Sequence, residues 1–385
     1  MKDSNLEMIR GIAAMLVFFC HLVMFYPVEL PNIIKMLFNW GTEAVYIFFI
    51  LSGIVIHIST SKVKKTAVHF VIDRFFRLVP VYLSGIMISI IVMLNLKMDI
   101  SIETIIGNLL FLGTLQGYIV EAIKTNQPVW SLTFEVFFYA LFALTMIGNQ
   151  KRNLKFWFII SLVSLIGIKM DIENDIVRHF IMMFAFSTGW LLGYFISAKK
   201  SEINYFSKRQ AVFSLFLLPA ISRLHLSSDY YDPIKYILFC IVSIPFFTFI
   251  LNNKSEKHQS KLITPVFAII YLLVVLHLLI YSQSNLSSKL IYITVPFFAF
   301  LKINFGFSFL LDKIKKILSD QLGKYSYSLY ILHFPILFYL GEIMEQPELY
   351  LIFGICGTLM MVFIAEIGIN RFGTEMKRKI ITLIN

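Results

Sequence analysis

From end to end, the chain alternates long apolar runs with short polar breaks that carry charge. A helix crossing the hydrocarbon core of a bilayer needs about 20 mostly apolar residues. Read this way, the runs predict spans over 8–27, 42–60, 78–96, 129–147, 154–168, 179–197, 211–226, 233–251, 262–282, 289–311, 325–341 and 348–369. The runs 154–168 and 211–226 are the shortest, and one such pair can lie on the surface. The pattern therefore predicts an all-α, polytopic integral membrane bundle of about ten to twelve transmembrane helices. The longest break, 97–128, holds the apolar stretch Ile105 to Leu112, too short to cross. It reads as a re-entrant or interfacial element, because irregular backbone at membrane depth must be covered by protein or line a cavity.

Composition supports a chain whose main solvent is lipid. Of 385 residues, 58% are hydrophobic and 15% charged, and 39 are Phe. Soluble domains carry about 25% charged residues. The net charge of +11 does not point to nucleic acid, because the basic residues sit in short clusters between apolar runs. Lys62, Lys64, Lys65, Arg74 and Arg77 form one such cluster, and Lys377, Arg378 and Lys379 form another. Positively charged loops stay in the cytoplasm, and placing both termini there puts most basic residues inside. Asp3, Glu7 and Arg10 precede the first run and no small-residue cleavage site ends it, so it reads as a retained helix. Residues 1–385 read as a single transmembrane domain with no appended soluble domain.

Cys20, Cys240 and Cys356 lie within apolar runs, with no metal-binding spacing and no disulfide framework. No metal is expected. The P-loop, H-E-x-x-H and G-x-S-x-G patterns are absent, which weakens an ATP-driven pump, a zincin and an α/β-hydrolase.

Ionisable residues inside spans are candidates for function. Arg10 and His21 are 11 residues apart on one predicted helix, which is three turns plus roughly 20°, so they share a face. His21 then sits about 16 Å deeper. Glu43 opens the second span near the outer side, where antiparallel packing can bring its carboxylate to the His21 ring. Ser52 and Gly53 read as a close helix contact. Arg74 and Arg77, in R-F-F-R, place two guanidiniums on one side of a helix, which suits phosphate. Trp130, Ser131 and Glu135 open the fourth span, with Glu135 at about the depth of His21. His333 lies mid-span in Y-S-Y-S-L-Y-I-L-H, a run whose polar groups can bond between helices.

Five blocks resemble the membrane-bound acyltransferase 3 family, in the family's order: N-L-E-M-I-R-G-I-A-A at 5–14 with His21, G-T-E-A-V-Y-I-F-F-I-L-S-G at 41–53, R-F-F-R-L-V-P at 74–80, W-S-L-T-F-E-V-F-F-Y at 130–139 and Y-S-Y-S-L-Y-I-L-H-F-P at 325–335. Glu7 stands where the family often has Asp. The resemblance implies O-acylation, usually O-acetylation, of cell-surface carbohydrates such as O-antigen, capsule, exopolysaccharide or peptidoglycan. It also implies cytoplasmic acetyl-CoA as donor and the bacterial cytoplasmic (inner) membrane as location. In that family the Arg and His of the first helix and the R-x-x-R pair are tied to activity, which correspond here to Arg10, His21, Arg74 and Arg77.

These readings combine into one expectation. Arg74, Arg77 and Arg10 hold the phosphates of acetyl-CoA, and His21 acts as general base or through an acyl-imidazole. Glu135 or Glu43 orients the His21 ring, and Trp130, Ser131 and His333 meet the acceptor glycan. Partners are the donor, a glycan acceptor and membrane lipid. The competing readings are a polysaccharide exporter, flippase or secondary transporter, and succinyl rather than acetyl transfer. Oligomeric state is not readable from the sequence.

Overall fold

A computed structural model describes residues 4–31, 34–35, 38–63, 65–200, 202, 206–224, 232–252, 263–281, 289–294, 296 and 322–384. Its helices are α1 Ser4–Met24, α2 Gly41–Ser61, α3 Ala67–Asn95, α4 Ile102–Leu109, α5 Trp130–Thr145, α6 Gln150–Gly167, α7 Asp175–Ala198, α8 Lys208–Ser222, α9 Pro233–Asn252, α10 Ile263–Tyr281, α11 Gly323–Ile343, α12 Pro347–Ile364 and α13 Asn370–Ile384. A 3-10 segment, Lys124–Val129, leads into α5, and a π-helical turn, Ala365–Ile369, joins α12 to α13. Each predicted span has a helix, except that 289–311 lies mostly outside the described residues. Among the described residues, seven helical segments are long and apolar enough to cross a membrane. The serines, tyrosines and His333 of α11 keep that 21-residue helix below them in apolarity.

The helix that carries the predicted span 78–96 begins earlier, at Ala67, so Arg74 and Arg77 lie on the same continuous helix as that span. Thr66 caps it, its hydroxyl accepting from the His69 amide at 3.3 Å, and Pro80 is carried inside without ending it. The all-α architecture holds, with one two-stranded pairing in the 97–128 segment, where an irregular element is expected. There β1 Gly113–Thr114 and β2 Val120–Glu121 pair in parallel. Buried side chains hold this segment. Asn108 donates to the carbonyls of Thr104 and Glu121, each at 2.8 Å, and accepts from the Ile123 amide at 3.3 Å. Thr125 donates to the Ser89 carbonyl at 3.1 Å and Asn126 to the Ile331 carbonyl at 3.0 Å. The bonds to Glu121 and Ile123 satisfy backbone groups of the non-helical segment, and those to Ser89 and Ile331 fasten it to carbonyls of α3 and α11.

Contacts divide the chain into two compact units. The first comprises Met1–Met8, Thr42–Lys62 and Gly189–Ser319. Within it α2 and the end of α7 approach backbone to backbone, as the Ser52–Gly53 pair suggests. A Cβ on Gly53 would lie 1.9 Å from the Trp190 carbonyl oxygen, and one on Gly193 would lie 2.0 Å from that of Ile50. The Trp190 indole donates to Ser52 at 3.2 Å. A side chain larger than hydrogen at either glycine is incompatible with this crossing.

The second unit comprises Ile9–Gly41, Val63–Thr188 and Asp320–Asn385. Here α3 packs against α5, α11 and α13, and α11 against α12. Phe70, Phe134, Phe138, Phe142 and Phe186 are fully buried in it. Gly85 lets α3 approach α11: a Cβ there would meet the Ile331 side chain at 2.4 Å. This unit holds Arg10, His21, Arg74, Arg77, Trp130, Ser131, Glu135 and His333.

Candidate active site

The site begins with α1, which is helical without a break from Ser4 to Met24. That continuity keeps Arg10 and His21 on one face, three turns apart. Both are half-buried. The His21 ring meets His333 of α11, with Nδ1 of His21 and Nε2 of His333 2.8 Å apart and the rings stacked at 27°. His333 is fully buried. Its own Nδ1 lies 2.9 Å from the Leu329 carbonyl, one helical turn back.

This chain of contacts sets the tautomers. A carbonyl only accepts, so Nδ1 of His333 carries its proton. In the neutral ring Nε2 of His333 is then the acceptor, and Nδ1 of His21 is the donor. Nε2 of His21 is left with a lone pair, the form a general base needs. Phe334 packs edge-on against His21 at 4.8 Å, and the Tyr350 hydroxyl donates to the Leu22 carbonyl at 3.0 Å, beside His21 in sequence. The histidine expected to meet the acceptor is therefore the partner of the His21 ring. With the His21 ring, His333 makes the kind of contact expected of Glu135 or Glu43.

Arg74 and Arg77 sit one turn apart on α3. Arg77 is exposed, while Arg74 turns inward, with its guanidinium over the rings of Phe70 at 5.5 Å and Tyr139 at 5.7 Å. Nε and Nη1 of Arg74 are buried and have no hydrogen-bond partner. The neighbouring carboxylate does not supply one: Asp73 is held by Lys377 at 2.6 Å and by Lys65. Buried charged donors left open are costly. They match an anionic ligand, and a planar guanidinium fork matches phosphate in particular.

Glu135 accepts from the Tyr139 hydroxyl one turn further along α5. The same Tyr139 ring lies under the Arg74 guanidinium, so Tyr139 links the Glu135 carboxylate to Arg74. Trp130 and Ser131 are buried at the start of α5. The Ser131 and Tyr330 hydroxyls are 2.7 Å apart, and Tyr330 also donates to the Pro128 carbonyl at 2.9 Å. This ties α5 to α11 one turn before His333. Glu43 lies in the first unit, 3.6 Å from Arg223. Among the described residues no group of three His, Cys, Asp or Glu is placed to hold a metal ion.

Tyr139, Tyr330 and Asn126 also take part in the site and its supports, and their spacing alone does not mark them. Tyr139 and Tyr330 stand inside blocks already singled out, and the Glu135–Tyr139 step of four residues is readable on a helix. Nothing local marks Asn126, whose partner is 205 residues away.

The sequence pattern of the acyltransferase-domain family matches residues 3–264. That stretch includes Arg10, His21, Glu43, Arg74, Arg77, Trp130, Ser131 and Glu135, and leaves His333 beyond it. The exopolysaccharide production protein ExoZ of Rhizobium meliloti (strain 1021) is 30% identical over 109 residues, which is 28% of this chain and 34% of that relative. The similarity thus spans about a third of the relative's length. No solved structure matches the chain. With the family pattern matching well over half of its residues, the chain belongs to the acyltransferase 3 family of acyl-transferring enzymes.

Proposed function

We propose that this protein is a membrane O-acyltransferase that moves an acetyl group from cytoplasmic acetyl-CoA to a hydroxyl of a cell-surface carbohydrate. It works in the bacterial cytoplasmic membrane, with ten to twelve spans and both termini inside. The observation that carries the reading is the His21–His333 contact, because it leaves a basic nitrogen on the helix that also bears Arg10.

Arg74, with Arg77 and Arg10, receives the phosphates of the donor. The open Nε and Nη1 of Arg74 support that role. Glu135 and Tyr139 keep the cluster ordered. Nε2 of His21 takes the proton of the acceptor hydroxyl as its oxygen attacks the thioester carbonyl. The tetrahedral intermediate collapses, the C–S bond breaks, and the CoA thiolate recovers the proton from the imidazolium. His333 accepts the Nδ1 proton of His21 throughout and stabilises the charged ring.

The ExoZ similarity supports an exopolysaccharide as acceptor. The test is purified protein in nanodiscs with labelled acetyl-CoA and de-O-acetylated glycan. Wild type transfers label to glycan and His21→Ala does not, while both elute as folded protein. Near-normal turnover by His21→Ala rejects the assignment.

A further inference from the structure

A cavity of about 370 Å³ lies in the second unit at the end of α1 that carries His21. Its size falls within the roughly 300–1,000 Å³ of small-molecule sites. Phe25, Phe334 and Phe338 form an aromatic wall, with Phe25 edge-on to the other two at 5.1 and 5.5 Å. Phe334 is shared: it lines the cavity and touches the His21 ring. The 97–128 segment supplies the opposite chemistry. Glu121, Lys124 and Gln127 line the cavity and are exposed. Thr114 lines it too, and its buried hydroxyl has no hydrogen-bond partner.

We propose that this cavity is the acceptor subsite and takes one or two sugar residues of the glycan, presenting a hydroxyl to Nε2 of His21. The proposal rests on the acyl-transfer reading above and gives it a substrate-binding surface. A sugar ring has apolar C–H faces and a rim of hydroxyls. The three phenylalanines suit the faces. Glu121, Lys124, Gln127 and Thr114 suit the rim, with both donors and acceptors available. A lipid acyl chain uses none of these polar groups, and burying them against hydrocarbon is unfavourable. The segment's fastening by Asn108, Thr125 and Asn126 holds the polar side of the cavity against α3 and α11. Two buried anchors on neighbouring helices keep such a loop in place during binding.

The test uses full-length protein in nanodiscs and de-O-acetylated exopolysaccharide oligosaccharides as probe. Binding is followed without donor by saturation-transfer NMR, and transfer with labelled acetyl-CoA. Lys124→Met and Phe338→Leu are expected to weaken glycan binding and raise the glycan KM at least tenfold. Their KM for acetyl-CoA is expected to stay within twofold, which also reports that they fold. Equal glycan binding in wild type and variants overturns the subsite, as does a wild type whose cavity takes up spin-labelled acyl chains but no glycan. A wild type that binds glycan through Lys124 and Phe338 yet transfers no label supports the subsite and rejects the acyl-transfer reading.

Discussion

His21 and His333, 312 residues apart in sequence, share a hydrogen bond of 2.8 Å, and the second ring is anchored to its own helix by the Leu329 carbonyl. This geometry is the basis of the orienting role proposed above for His333, in which it holds the His21 ring with the Nε2 lone pair available. His333→Leu removes the acceptor and is expected to lower kcat on the order of 10- to 100-fold, by analogy with the loss of groups that orient metal-bound histidines. His333→Gln keeps an acceptor oxygen and is expected to retain most of the rate that His333→Leu loses. If Gln and Leu are equally impaired, the orienting role is wrong.

Arg74 provides a case where function and stability pull apart. Its Nε and Nη1 are buried without hydrogen-bond partners, so without donor their desolvation is offset only by the guanidinium's contacts with the Phe70 and Tyr139 rings. Arg74→Met is expected to leave thermal unfolding in detergent unchanged or raised, while the KM for acetyl-CoA rises tenfold or more. A loss of stability with an unchanged KM would identify Arg74 as a structural residue.

Asp73 sits between Lys65 on the approach to α3 and Lys377 on α13. Its carboxylate is largely buried, with 11% of the side chain exposed. Asp73→Asn removes the carboxylate charge that the two lysines share, at an expected cost of about 1–3 kcal/mol. Hydrogen exchange should show residues 370–384 opening first, with α5 and α11 less affected.

Gly85 is expected to behave as an activity residue without touching substrate. A Cβ there meets Ile331 at 2.4 Å and the Asn126 amide at 3.4 Å. Gly85→Ala must push α11 away from α3, with an overpacking cost of about 1–3 kcal/mol. Ile331 is two residues from His333, so turnover should fall along with stability. Adding Ile331→Ala makes room for the new methyl and should restore both. Failure of the double variant to recover would place the effect elsewhere.

The helical architecture was legible because lipid demands long apolar runs, and those runs survive in the sequence whatever they pack against. Within one helix the 3.6-residue period also suffices. It put Arg10 and His21 on one face and Arg74 beside Arg77, and α1 and α3 are continuous through both pairs. The start of α3 was harder to read, because an amphipathic helical turn that leaves the apolar run looks like a loop in hydropathy alone.

Relations between helices were a different matter. The sequence marked His21, Glu135, Glu43 and His333 as polar groups that need partners, but periodicity carries no information on which helix lies next to which. Only the tertiary structure decided that His21 meets His333, that Glu43 stands by Arg223, and that Lys377 takes Asp73 while Nε and Nη1 of Arg74 stay without a hydrogen bond. The physical reason is range. Hydrophobic patterning acts along the chain over a few turns, whereas hydrogen bonds and ion pairs act over about 3 Å in space, between residues that only folding brings that close.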